Sequence, residues 1–406
     1  MCQTSKVKHK RSHSHKLKRA VSAMVMTITN PPHKPVGVKR IFSTGDVHLL
    51  HKRVPTWHIV MVFKEALLAC GNTIDALYIA GDLFDDSRQL RQEDSHEAVG
   101  FLTWLLNWAK ETNTAVRVVE GTPSHDHNQS KIVESLNATI GADCLYLEKI
   151  GVFYDSALET YVGWVQDEYK ANGAPEINAK STEAEMAELM ATRGLEKVGF
   201  FFMHGCFQFQ LPIESPRSFN EEFWESRVEH LIIIHHDHRR KQKGKIRVTG
   251  SPERLSQGEE EDKGFAIVDF TPEIARDYFL VNPRACPQRK VRAQEDYEAQ
   301  YAECLSALEY IDSHPSACIG RFEVEYYPGS PLAEHVNQWK KEYSFHVSGE
   351  RVRTSEEEEL LVQGFSIDAP VDEIITQDNV ERIMLEELAP FKYDAAIVTS
   401  IIRSVA

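Results

Sequence analysis

Acidic and histidine residues follow five separate apolar runs of the sequence. Each run is short and rich in β-branched or aromatic residues, which is typical of a buried strand. The loops after the five runs contain Gly45-Asp46-Val47-His48, Gly81-Asp82-Leu83-Phe84-Asp85, Gly121-Thr122-Pro123-Ser124-His125-Asp126-His127, His204-Gly205 and His235-His236-Asp237-His238. Because the carboxyl ends of the strands in an α/β sheet meet at one edge, residues far apart in sequence can form one cluster there. The pattern therefore predicts a single polar site.

The residue types in these loops indicate a metal site with oxygen and nitrogen ligands. Asp46 and His48 are two positions apart, so both side chains could reach one cation from an extended loop. Asp82 stands on a glycine turn, and its two carboxylate oxygens could bridge two cations. Mixed oxygen and nitrogen ligands suit Mn²⁺, Fe or Zn²⁺ better than Ca²⁺, which prefers oxygen alone. The expected cofactors are two divalent ions, with Mn²⁺ favoured and Mg²⁺, Fe or Zn²⁺ as alternatives.

Each motif taken alone also has an explanation without function. An Asp-x-His pair is common by chance, and His204, at the end of an apolar run, could be a core histidine with a satisfied ring. His236 and His238 precede three basic residues and could belong to a polar basic loop. The joint order of the motifs, each after its own strand, is what favours the two-metal interpretation.

The same order of motifs resembles that of the calcineurin-like metallophosphoesterases, over about residues 39–270. A narrower resemblance, to SbcD-type nucleases, rests on one segment that closes the catalytic domain of those proteins. That segment reads Gly250-Ser251-Pro252-Glu253-Arg254-Leu255-Ser256, followed by Gly258-Glu259 and Asp262-Lys263-Gly264-Phe265. SbcD-type nucleases are the partners of the SMC-like SbcC ATPase in double-strand-break repair and phage recombination.

The superfamily resemblance implies a role for each matching metal ligand. One metal would be bound by Asp46, His48 and His238, Asp82 would bridge to the second metal, and His204 and His236 would bind that second metal. The family usually has Asn before the His-Asp pair of the third loop, where this chain has Ser124. A hydroxyl is a weaker ligand than an amide oxygen, so Ser124 would hold the second metal loosely, or Thr122 or His127 would replace it.

The resemblance also implies the catalytic residues. His125 would stabilise the transition state and protonate the departing oxygen, and Asp126 would orient the His125 imidazole. His235 stands where the family usually has Gly, and no role is assigned to it. The basic residues beside the motifs, Lys52 and Arg53 after the first loop and Arg239 and Arg240 after the fifth, are candidates for DNA phosphate contacts, with ordinary solvated charge as the alternative.

The expected fold is α/β, a layered β-sandwich flanked by helices, with a smaller α+β C-terminal capping region. Strands are predicted near residues 38–43, 76–80, 116–119, 198–203, 231–234, 264–270 and 321–326, and helices near 57–69, 97–110, 174–193 and 293–311. The predicted organisation is a basic, disordered tail (1–36), a catalytic domain (37–282), a capping domain that positions DNA (283–365) and a helical tail that could dock on the ATPase (366–406).

Composition limits the class of protein. The chain has 406 residues, 42% of them hydrophobic, which excludes global disorder, and its formal net charge of −15 argues against nonspecific coating of nucleic acid. Its 7 cysteines are scattered and form no C-x-x-C pair, which favours a reducing compartment such as the cytoplasm, or the host cytoplasm for a viral protein. No apolar run reaches the roughly 18 residues of a membrane helix, although a short secretory signal near residues 20–26 is conceivable.

The function expected from the sequence is hydrolysis of DNA phosphodiester bonds by an exonuclease or endonuclease subunit, with DNA ends, an SbcC-type ATPase and a second copy of the chain as partners. One alternative is a phosphoprotein phosphatase or nucleotide phosphodiesterase on the same scaffold. The other is a catalytically weak scaffold that binds DNA or an ATPase without cutting.

Overall fold

The computed structural model describes residues 31–85, 93–167, 179–213, 215–256, 258–314, 316 and 318–352. Its strands are β1 (Lys39–Thr44), β2 (Ala76–Ala80), β3 (Ala115–Val119), β4 (Cys144–Leu147), β5 (Ile150–Asp155), β6 (Thr160–Val165), β7 (Val198–His204), β8 (Val228–His235), β9 (Lys241–Lys243), β10 (Ile246–Val248), β11 (Gly264–Phe270), β12 (Ala275–Val281), β13 (Gln288–Val291), β14 (Arg321–Tyr326) and β15 (His346–Arg351). Its helices are α1 (Thr56–Cys70), α2 (Glu93–Thr112), α3 (Pro123–Asp126), α4 (Ile132–Ile140), α5 (Ala179–Thr192), α6 (Glu221–Glu225), α7 (Tyr297–Ser313) and α8 (Leu332–Glu342).

Twelve of these strands form two six-stranded mixed sheets. The first sheet has the order β12-β11-β1-β2-β3-β4, and the second has the order β5-β6-β7-β8-β10-β9. Strands β1 to β4 are parallel to one another, as are β6, β7, β8 and β10, while β5, β9, β11 and β12 pair antiparallel with their neighbours. The central parallel strands therefore end at the same edge of each sheet, which is where ligands bind in such folds.

Alternation along the strands explains why the two sheets pack against each other. In β7, Phe200 and Phe202 belong to the core between the sheets, while Phe201 and Met203 face the outer layer. Successive side chains of a strand point to opposite faces, so a run that is apolar at every position is buried on both sides. The stacked rings of Tyr78 and Phe202, whose centroids are 3.6 Å apart, join the two sheets.

Helices cover the outer face of each sheet. Phe63 of α1 and Phe101 of α2 pack in the core over the first sheet, and Met186 of α5 and Trp224 of α6 pack over the second. Replacing a buried aromatic residue such as Phe63 by Ala would cost about 3–5 kcal/mol of stability. The four layers confirm the predicted fold class of a β-sandwich flanked by helices, and the strands predicted at the metal motifs are confirmed.

The residues after β12 form a third, three-stranded sheet with its own core. Strands β13, β14 and β15 are all parallel, and α7 and α8 connect them. This alternation of parallel strands and helices is an α/β arrangement, whereas the sequence predicted an α+β region. Strands β13 and β15 are polar and carry no apolar pattern, so the sequence did not predict them. The chain enters this sheet beside the segment that begins at Gly250, where the backbone N–H of Cys286 donates to Glu253 Oε1 at 2.5 Å.

Two of the predicted segments fall mainly on residues that the structure does not describe. The basic tail is described only from Pro31 onwards, and the helical tail (366–406) lies outside the described residues altogether. Within the described ranges, no helix has both the length and the apolar character that crossing a bilayer requires.

Candidate metal centre

Loops from both sheets bring the predicted ligands to one edge of the sandwich. The residues at this edge are Asp46 and His48 after β1, Asp82 after β2, His204 at the end of β7, and His236 and His238 after β8. The loops are hydrogen-bonded to one another, since Asp46 N donates to Gly81 O at 3.1 Å and His48 N donates to Asp82 O at 3.0 Å. The backbone N–H of His236 donates to Asp46 Oδ2 at 3.0 Å and joins the second sheet to the first.

The six side chains form two groups of three. The first half-site consists of Asp46, His48 and His238, and the second half-site consists of Asp82, His204 and His236. Within each half-site the potential ligand atoms lie within 4.8 Å of one another. Asp82 faces both groups, because its Oδ2 is 3.2 Å from His204 Nε2 and 3.8 Å from His48 Nε2. This is the geometry required of a bridging carboxylate.

Three imidazoles have their outer nitrogen bound by an acceptor. His48 Nδ1 bonds Asp85 Oδ1 at 2.8 Å, His238 Nδ1 bonds Glu259 Oε1 at 2.8 Å, and His204 Nδ1 bonds the carbonyl oxygen of Ala80 at 3.0 Å. A carboxylate or carbonyl can only accept, so each Nδ1 donates its proton. When such a ring is neutral, its Nε2 presents a lone pair to the centre, as in metal-binding histidines.

Several polar atoms at the centre are buried without a hydrogen-bond partner. Asp46 Oδ1, His48 Nε2 and His204 Nε2 are all in this condition. An unsatisfied buried polar atom costs about 1–3 kcal/mol. A divalent cation in the first half-site would satisfy Asp46 Oδ1 and His48 Nε2, and one in the second half-site would satisfy His204 Nε2. The carboxylate and imidazole donors therefore fit metal ions, and the set is of the kind that binds Mn²⁺, Fe or Zn²⁺.

The charges at the centre are strongly coupled in the absence of metal. Burial opposes ionisation of Asp82, but His204 and His48 hold the pKa of its carboxyl well below the usual range. Burial alone would lower the pKa of His204, but Asp82 and Asp46 raise it to about 10. The protein therefore prefers a positive charge at the place where a cation would bind.

The backbone at the centre is strained. Asp46, His48, Asp82 and His236 all have positive φ values, of 48°, 51°, 47° and 109°. Non-glycine residues rarely adopt this region, and such residues cluster at functional sites. Gly121 is required by close approach, because a Cβ there would lie 2.0 Å from the backbone nitrogen of Asp82.

The structure corrects the prediction for Ser124. Ser124 is exposed in the short helix α3, whereas Thr122, two residues earlier, is buried beside the second half-site. Thr122 Oγ1 lies 3.4 Å from Asp82 Oδ2 and 3.5 Å from His236 Nδ1. In this loop the residue before His125 therefore faces solvent, and the hydroxyl of Thr122 lies beside the second half-site.

The structure also corrects the prediction that Asp126 orients His125. Asp126 is buried, and its two oxygens accept the backbone N–H groups of Phe84 at 2.9 Å and Gly121 at 2.7 Å, so it joins two loops. The carboxylate that faces His125 is Asp85, whose Oδ1 is 3.6 Å from His125 Nδ1. Asp85 raises the pKa of His125, although burial opposes the change. The His125 ring lies 5.1 Å from the ring of His48, beside the first half-site.

The predicted basic residue Arg53 lines a cavity, and the other residue of that pair, Lys52, lies next to it in the sequence. Arg53 and Arg321 of β14 line a cavity of about 370 Å³ between the loop after β1 and the third sheet. Lys52 is exposed next to Arg53. Among the described residues, no carboxylate forms an ion pair with Arg53 or Arg321. Burial lowers the pKa of Arg321, and the nearby charge of Arg53 lowers it further.

The other two predicted basic residues have different surroundings. Arg239 is exposed, and the guanidinium of Arg240 stacks on the ring of Phe279 at 3.5 Å. Arg240 lines a second cavity with Arg247 and Lys241, and it does not line the cavity that contains Arg53. The structure therefore does not bring the two predicted basic pairs to one surface.

The sequence interpretation missed four residues at the centre or gave them no role. Asp85 and Glu259 belong to quoted motifs, Gly-Asp-x-x-Asp and Gly-Glu, and a search for carboxylates that support histidine ligands could have found them. Thr122 was named only as a substitute. Asp167, whose Oδ2 is 3.6 Å from His236 Nδ1, follows β6 and has no sequence signal of its own. His235 is buried under Gly45 and contacts Thr249, and its Nδ1 lies 3.8 Å from Asp46 Oδ2, so it packs behind the first half-site.

Comparisons with known proteins add little to this geometry. No protein-family model matches the chain, and no curated protein matches it. Among solved structures, TT1561 of Thermus thermophilus is similar, with a TM-score of 0.39 and 14% sequence identity over 60% of this chain and 99% of that one. A second solved structure is similar with a TM-score of 0.38 and 11% identity, over 60% of this chain and 99% of that chain.

Proposed function

We propose that the protein is a two-metal phosphodiesterase that cleaves DNA, as the nuclease subunit of an SbcCD-like complex that processes double-strand ends. The observation that carries the proposal is the position of Asp82. One of its carboxylate oxygens faces His204 of the second half-site and His48 of the first. A bridging carboxylate between two groups of Asp and His ligands is what two-metal phosphoester hydrolysis requires.

The residues of the chain supply separate parts of the mechanism. The two half-sites would hold two divalent cations, which would supply an activated water and positive charge that stabilises the phosphate. His125 stands 39% exposed beside the first half-site, where its ring can approach a substrate. Asp85 raises the pKa of His125, although burial opposes the change, and this favours the protonated ring that a general acid requires. General acid catalysis of this kind contributes about 10²–10⁴-fold.

The cavity next to the first half-site supports a polynucleotide substrate. The protein as a whole has a net charge of −15. Arg53 and Arg321 form no ion pair with a carboxylate among the described residues, although Glu260 and Glu323 line the same cavity, where Arg289 and Lys290 add positive charge. The half-buried His51, whose ring centroid is 6.3 Å from that of His48, connects this charge to the metal centre. Phosphates on either side of the cleaved bond would be attracted to such a groove. A small phosphomonoester has no second phosphate to place there.

A comparison of substrates tests the proposal. The expected result is Mn²⁺-dependent degradation of end-labelled linear duplex DNA, with weak hydrolysis of p-nitrophenyl phosphate and cyclic nucleotides. Faster hydrolysis of the small substrates would support the alternative phosphatase or phosphodiesterase function. Metal binding without hydrolysis of any substrate would support the alternative of a non-cutting scaffold.

Two arginine variants test the DNA groove separately from the chemistry. Arg53→Ala and Arg321→Ala should weaken DNA binding and reduce the salt dependence of binding by about one counterion each. Hydrolysis of p-nitrophenyl phosphate should be unchanged in both variants. Arg193→Ala, which removes an exposed arginine that does not line the cavity, is the matched control.

The ATPase partner is proposed from the resemblance alone. The segment expected to dock on it (366–406) lies outside the described residues. Addition of an SMC-like ATPase with ATP should stimulate cleavage of duplex ends, and an unchanged rate with no complex in gel filtration would remove this part of the proposal.

A further inference from the structure

The second half-site offers fewer ligands than a cation of the expected type needs. Asp82, His204 and His236 supply three side chains, whereas Zn²⁺ and Mn²⁺ take roughly four to six ligands. Two further oxygens lie against this group. They are Thr122 Oγ1, and Asp167 Oδ2 at 3.6 Å from His236 Nδ1.

The distances between these atoms match those within one coordination shell. Ligands that bind one cation at roughly 2.0–2.2 Å are themselves separated by roughly 3–4 Å. Thr122 Oγ1 is 3.3 Å from Asp167 Oδ2, 3.4 Å from Asp82 Oδ2 and 3.5 Å from His236 Nδ1. His204 Nε2 is 3.2 Å from Asp82 Oδ2. Thr122 Oγ1 therefore lies within 3.5 Å of three of these side chains, and Asp167 joins the group through its contacts with Thr122 Oγ1 and, at 3.6 Å, with His236 Nδ1.

The topology of the second sheet brings Asp167 to this position. Strand β6 is parallel to β7, with Val165 paired to Met203, so Asp167 comes after β6 at the edge where His204 ends β7. Gly205 has a φ of +133°, and a Cβ there would lie 3.4 Å from Asp167 Oδ1. The carboxylate is thus held against the turn after His204, and only 18% of its side chain is exposed.

An independent observation indicates that this group of side chains holds a ligand. The side chain of His204 is fully buried, and its Nε2 makes no aligned hydrogen bond, although Asp82 Oδ2 lies 3.2 Å away. Thr122 has one hydroxyl proton, which can satisfy only one of the two carboxylates beside it. Two carboxylates around one hydroxyl are unfavourable unless a positive charge lies between them.

We propose that Asp167 is a metal ligand of the second half-site, with Thr122 Oγ1 as a neutral donor beside it. The inference rests on the proposed two-metal centre and adds a third carboxylate to it. Three carboxylates, Asp46, Asp82 and Asp167, then face two dications. The family that the sequence resembles usually has a neutral Asn ligand in the third loop. Here the second cation would receive an anionic oxygen from Asp167, in the loop after β6.

The first test is metal binding, which does not depend on activity. Wild-type protein should bind two Mn²⁺ per chain in calorimetry and in elemental analysis after dialysis. Asp167→Ala should bind the first ion normally and the second at least about tenfold more weakly, because loss of even an indirect support of a metal ligand costs about 10–100-fold. Thr122→Val should have a smaller effect in the same direction. Glu196→Ala, which removes an exposed carboxylate, is the control and should bind both ions as wild type does.

The outcomes separate this inference from the proposed function. If wild type binds two ions and Asp167→Ala binds both with unchanged affinity, the role of Asp167 is overturned and the two-metal centre stands. If wild type binds fewer than two ions, the centre itself is overturned, and the role of Asp167 with it.

A second test distinguishes direct ligation from support of His236. In crystals loaded with Mn²⁺, anomalous scattering should place the second ion roughly 2.0–2.2 Å from an oxygen of Asp167. An ion more than about 3 Å from both oxygens, with Asp167 hydrogen-bonded to His236 instead, would overturn direct ligation.

Discussion

The two half-sites of the metal centre differ in what stands behind their histidines. In the first half-site, carboxylates bind the outer nitrogens of both imidazoles, Asp85 behind His48 and Glu259 behind His238. In the second, His204 bonds a neutral backbone carbonyl, and the His236 side chain is 39% exposed. A carboxylate behind an imidazole raises its basicity and fixes its orientation. We therefore expect the first half-site to hold its ion more tightly and the second to exchange its ion and to meet solvent more readily.

The largest effect is expected where the two half-sites meet. Asp82→Asn removes the charge of the carboxylate that faces both groups. Turnover should fall by more than the roughly 10²–10⁴-fold that a general acid contributes, because the metals themselves are lost. Metal analysis and DNA digestion on the same preparation measure both effects. Full activity with two bound ions would contradict the bridging role and the comparison built on it.

The next effect separates chemistry from metal binding. His125→Ala should lower turnover by about 10²–10⁴-fold while both half-sites still bind their ions. His125 lies on α3 outside the two half-sites, although it also forms a third group of possible ligands with His48 and Asp85. The measurement is the rate of DNA cleavage at saturating Mn²⁺ together with the number of ions bound. His127→Ala, which changes the exposed neighbouring histidine, should be close to wild type. Loss of an ion in His125→Ala would make His125 a ligand instead.

The sequence predicted those parts of the centre that follow strands. Asp46, His48, Asp82, His204 and His238 stand at ends of apolar runs, and strand order alone brings such residues together. Orientation within a loop is different, because it depends on backbone conformations that leave no pattern. Ser124 and Thr122 are two residues apart in one loop, and only the left-handed turns and short helix α3 decide which of them faces inward.

The supporting carboxylates were harder to predict for another reason. Glu259 approaches His238 because a buried ion pair with Lys263, at 3.0 Å, fixes it there. Asp167 approaches the second half-site because β6 and β7 are parallel neighbours. Both contacts depend on which strands and loops become neighbours, and this leaves no pattern in the local sequence. The polar strands β13 and β15 were missed because they also lack a local pattern.

A support behind the first half-site provides a more moderate effect. Glu259→Gln should weaken binding of one ion about 10–100-fold, because it removes the negative charge behind His238. Burial opposes ionisation of Glu259, but His238 and Lys263 hold its pKa at about 2, so the group is anionic at neutral pH. Calorimetric titration with Mn²⁺ measures the two affinities separately. Glu229→Gln, at an exposed position of β8, is the control. If the order of affinities of the two half-sites is unchanged, carboxylate support is not what makes the first half-site tighter.

The smallest expected effect is the pH dependence of metal uptake at the second half-site. Burial alone would lower the pKa of His204, but Asp82 and Asp46 raise it to about 10, so the metal-free imidazole is protonated at neutral pH. A cation that binds Nε2 must displace this proton, and affinity should therefore rise with pH, by at most about tenfold per pH unit, until pH approaches the raised pKa. Calorimetry at pH 7 in buffers of different ionisation enthalpy should show release of about one proton when the second ion binds. Uptake of the second ion without proton release would mean that His204 is already neutral, and that the two half-sites do not differ in their competition with protons.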